Sequence, residues 1–77
     1  MNGKEFEALL DDVKNQLKTI RMYANTGDDG NAHGYEDDLY WFVMNAIREK
    51  NMTMEQAKQL INESFKARDI DFSHWYE

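Results

Sequence analysis

The sequence contains no cysteine and no proline, and only four glycines in 77 residues. Without cysteine there is no disulfide framework and no thiolate zinc site. Without proline nothing forbids long helices. Basic residues are also scarce: nine Lys and Arg stand against fifteen Asp and Glu, a formal charge of −6 with a pI near 4.8. That sign repels phosphates, so direct nucleic-acid binding is not expected, and it favours a basic protein partner. No apolar run approaches the ~20 residues of a membrane span, so no membrane association is expected. The N-terminal Met1-Asn2-Gly3-Lys4-Glu5 carries charge where a secretory signal needs an apolar stretch, and a cytoplasmic protein is the expectation.

What is present is a foldable composition, 42% apolar and 13% aromatic, too rich for a disordered chain. A domain of this length buries only about 60% of its unfolded surface. One domain with little room for a deep cleft is therefore expected, with no cofactor and no catalytic role.

The charge is unevenly placed. Residues 1–24 are balanced, four acids against four bases. Residues 25–40 hold Asp28, Asp29, Glu36, Asp37 and Asp38 and no base, residues 41–68 are net +2, and Asp69, Asp71 and Glu77 close the chain.

Periodicity predicts an all-α fold, a small antiparallel three-helix bundle with an aromatic C-terminal tail. The first helix spans about 3–24, with Phe6, Leu9, Leu10, Val13, Leu17, Ile20 and Ala24 spaced three or four apart. Asn2 and Glu5 have capping-box spacing, and Gly27 suits a stop. Residues 25–34 hold three of the four glycines among Asn and Asp and read as a loop. The second helix is expected over 35–50, with Leu39, Phe42, Val43, Ala46 and Ile47 inward and Tyr40, Trp41 and Met44 toward the flanks. The third is expected over 53–68, capped by Thr53 and Gln56, with Met54, Ala57, Leu60, Ile61, Ser64 and Phe65 inward. Residues 69–77 form the tail.

Few patterns carry chemistry. Starting an EF-hand loop at Asn25 puts Gly30 sixth and Glu36 twelfth, but Gly27 supplies no side chain at the third position, leaving at most a weak divalent-cation module. Ser64 lies on a helix face, and Ser73 adjoins His74 too closely to be oriented by it as nucleophile and base. A helix-turn-helix reading of the last two helices lacks the basic footprint.

The informative excess is aromatic. Tyr40, Trp41, Trp75 and Tyr76 beside the acids Asp28, Asp29, Glu36, Asp37 and Asp38 form a candidate partner-binding surface, since Tyr and Trp dominate interface energetics. In size, acidity and lack of catalytic apparatus the chain is similar to small phage-encoded inhibitors of the anti-CRISPR and anti-restriction type. The likeness implies a non-catalytic protein that blocks a nuclease or another basic nucleic-acid-binding protein. The alternative is a small regulatory homodimer that buries the apolar surplus of the second helix between two copies.

Overall fold

The computed structural model describes residues 1–73; His74, Trp75, Tyr76 and Glu77 lie outside the described residues. Three packed α-helices, α1 (Gly3–Asn25), α2 (Asp29–Glu49) and α3 (Met54–Ser64), are followed by a 3-10 helix (Phe65–Asp69), with no strand among the described residues.

The apolar stripe of α1 faces the core as its spacing requires: Phe6, Leu9, Val13, Leu17 and Ile20 are buried, with Leu10 and Ala24 packed at the edge. Asn2 caps the helix by accepting the Glu5 N–H at 2.8 Å, and its own amide donates to the Glu5 carboxylate at 3.2 Å. The helix stops in a Schellman arrangement. The Asp28 N–H donates to the Tyr23 carbonyl at 2.9 Å and the Gly27 N–H to the Ala24 carbonyl at 3.1 Å. Gly27 supplies the left-handed residue that this closure needs, at φ 77°.

The expected loop over 25–34 shrinks to Thr26–Asp28, and α2 begins at Asp29 rather than near Tyr35. Asp28 accounts for the early start. Its carboxylate accepts the Asn31 N–H at 3.2 Å and the Asn31 side-chain amide at 2.7 Å. Burial of Ala32 and His33 against the core outweighs the ~1 kcal/mol that each helical glycine costs relative to alanine. A helix running through 29–36 also removes the loop geometry on which the EF-hand reading depended.

The inward face of α2 is Ala32, Leu39, Val43 and Ala46, with Phe42 and Ile47 packed beside it. Lys50–Thr53 lead into α3, whose capping box is complete. Gln56 donates its N–H to the Thr53 hydroxyl and accepts the Thr53 N–H, both at 3.0 Å, and its side-chain amide reaches the Met1 carbonyl at 3.0 Å. Leu60 and Ser64 are buried, and the Ser64 hydroxyl is satisfied by the Ile61 carbonyl at 2.8 Å.

Met54 and Phe65, both expected inside, are exposed. At Phe65 the backbone changes from α to 3-10 winding. With three residues per turn instead of 3.6, Ala67, three residues after Ser64, takes the inward position and the Phe65 ring swings out. Ile70 and Phe72 pack half-buried against the core. Among the described residues, no helix is long and apolar enough to cross a membrane.

Candidate functional site

The five acids of residues 25–40 do not form one rim. Asp28 is engaged in capping α2, and Asp29 is half-buried in its first turn. Glu36 is withdrawn from the surface, buried with 5% exposure, and its carboxylate accepts the Tyr40 hydroxyl at 2.8 Å. At about 100° per residue, successive acids on a helix point in different directions. Within the body of the helix Asp38 is exposed, and Asp37 is half-buried and leans on His33, its Oδ2 3.6 Å from the buried imidazole's Nδ1.

Tyr40 is half-buried between two neighbours. Its hydroxyl meets Glu36, and its ring meets Phe65 edge-on, with centroids 6.3 Å apart and an interplanar angle of 88°. Burial, and then the Glu36 carboxylate, push the phenol well above its ordinary range. Near the α1–α2 link, Tyr23 and Tyr35 stack with centroids 5.2 Å apart. The hydroxyl bond to Tyr35 raises the Tyr23 phenol in turn.

Trp41 is the most exposed ring in the described part of the chain, at 61%, and Met44, one turn further on, is 54% exposed. Asp38 and Asp37 lie three and four residues before Trp41 and Arg48 lies seven after it, so these side chains share the outward face of α2. Gly34, seven residues before Trp41, continues the same strip, and a Cβ there would meet nothing within 4 Å. The surface brought together is therefore Asp37, Asp38, Trp41 and Met44, with Phe65 beyond Tyr40. Trp75 and Tyr76, expected to contribute, lie outside the described residues.

Met44, Arg48 and Phe65 were missing from the expected surface. The signal for the first two was the three- and four-residue spacing from Trp41. Phe65 had none, because its exposure follows from the change of helical winding.

Among the described residues no three His, Asp or Glu side chains gather as a metal site. A depression of about 410 Å³ lined by Arg21, Asn25, Lys66, Asp69 and Ile70 mixes two bases with an acid and lies on other elements. Comparison with protein-family models, with curated proteins and with solved structures finds no match to this chain.

Proposed function

We propose that this chain is a non-catalytic, cytoplasmic docking protein, an antiparallel three-helix bundle whose α2 face binds a basic surface on another protein. The observation that carries this reading is Trp41, exposed on a helix directly beside Asp37 and Asp38. A bulky aromatic ring and Met44 supply desolvated contact area, and the neighbouring carboxylates select Lys and Arg. The net charge of −6 steers such a partner and makes its capture salt-sensitive. The tail residues Trp75 and Tyr76 would enlarge the apolar part of the contact. Carboxylates in place of phosphates suit a nucleic-acid-binding protein or nuclease as the partner, which the chain would block by competition.

The test is affinity capture from a lysate, followed by a nucleic-acid displacement assay on the captured protein. Trp41→Ala and Asp38→Lys should each lower capture by about tenfold or more, with helix content and melting temperature unchanged. The captured protein should lose its oligonucleotide when this chain is added. Capture indifferent to both substitutions, or a captured protein that retains its oligonucleotide, overturns the reading.

A further inference from the structure

The outward face of α2 has a symmetry about Trp41. Gly34 lies seven residues before the ring and Arg48 seven after it. Seven residues is close to two helical turns, so all three point the same way. The acids Asp37 and Asp38 lie on the Gly34 side, and Arg48 is the one base on this strip, its side chain 70% exposed and its guanidinium 3.0 Å from the carboxylate of the neighbouring Glu49, a solvated contact that it would exchange for the acids of a second copy.

Large and small, negative and positive are thus arranged on opposite sides of the ring. Such a face is complementary to itself when turned end for end. Within the monomer Gly34 answers no packing need, because a Cβ there would meet open space. Glycine on an outward helix face permits a neighbouring helix or a long side chain to come close.

We propose that a second copy of the chain covers this face in the absence of another partner, α2 lying antiparallel to α2 about a two-fold axis through Trp41. The proposal rests on the reading of this face as a docking surface, and differs in naming the first occupant. The two indoles meet at the axis. Each Arg48 stem crosses the flat backbone at Gly34 of the partner copy, level with it along the helix. Asp37 and Asp38 lie only about 4.5–6 Å further along the axis, within reach of a guanidinium. The Arg48 contacts occur twice, once on each side of the axis, as an isologous interface requires. Arg48 of one copy then occupies the place that a Lys or Arg of a basic target would take, so self-association and target docking exclude each other.

Sedimentation equilibrium on the full chain, from micromolar to sub-millimolar concentration, tests this. The expected mass rises from the 9.2 kDa monomer toward twice that value. Trp41→Ala, Asp38→Arg and Arg48→Asp should each weaken association by about tenfold or more. The double variant Asp38→Arg/Arg48→Asp should restore it to within a few-fold of the parent, because the swap re-forms both pairs in a dimer. Gly34→Leu should abolish association while raising the monomer's melting temperature, an outcome that misfolding does not produce. A chain that stays monomeric throughout the range, a double variant no better than its singles, or a Gly34→Leu dimer overturns the proposal. Target capture is scored separately. There Asp38→Arg is not rescued by Arg48→Asp, so loss of self-association and loss of the target-docking reading are distinguishable.

Discussion

Glu36 and Asp38 lie two residues apart on one helix and have opposite fates. Asp38 is solvated, whereas Glu36 is buried beneath the hydroxyl of Tyr40, four residues on. A buried carboxylate that loses a donor is penalised by more than the bond alone is worth. Tyr40→Phe keeps the ring beside Phe65 and removes only that hydroxyl. It should destabilise the fold by about 1–3 kcal/mol in urea titrations at neutral pH. The pH dependence has a definite sign. The folded phenol is raised by burial first and by Glu36 second, so the unfolded chain releases this proton near pH ~10 while the folded chain retains it. The stabilisation is complete below that pH and is lost as the pH rises toward the folded value. Stability of the parent should therefore decline above pH ~10, and Tyr40→Phe should show a shallower decline in melts at stepped alkaline pH.

At the scale of the element, two glycines in or beside α2 respond oppositely to the same substitution. Gly27 has φ 77° and open space around its Cβ position, so alanine there meets only backbone strain, about 1–2 kcal/mol destabilising. Gly34 is helical with equally open space, so alanine should stabilise by about 0.5–1 kcal/mol. Denaturant midpoints of the two variants, measured on dilute protein, check both signs. Much of the element pattern was legible in the residues. The stripe from Phe6 to Ile20, the caps Asn2 and Thr53 and the stop at Gly27 all act through local spacing. The start of α2 was not legible. Gly30, Asn31 and Gly34 locally disfavour helix, and the burial of Ala32 and His33 that overrides them depends on tertiary contacts. The site was half legible for the same reason. Trp41 and Asp38 emerge on the surface, but Glu36 in an acidic run reads as solvated until its place against the core is seen.

The whole molecule is elongated, 38 × 20 × 16 Å with a radius of gyration of 12.9 Å, against about 11.5 Å for a compact domain of this length. The long axis is close to the length of α1, ~35 Å at 1.5 Å per residue. A body this thin has little interior for rings. Phe6 is the one aromatic in the buried core among the described residues. Tyr23, Tyr40, Phe42 and Phe72 are packed half-buried at its edge, and Tyr35, Trp41 and Phe65 are left exposed, which links a bulk compositional fact to the docking role proposed for α2.

The Thr26–Asp28 link, with Asp28 closing one helix and opening the next, also bears on kinetics. The α1–α2 pair can zip from its short link with little loop-closure entropy, and mostly local contacts place folding in the microsecond-to-millisecond range. With no proline in the chain, no isomerisation step should delay any molecule by tens of seconds. Temperature-jump relaxation followed by far-ultraviolet circular dichroism should be single-exponential, and lengthening the link with flexible residues should slow it.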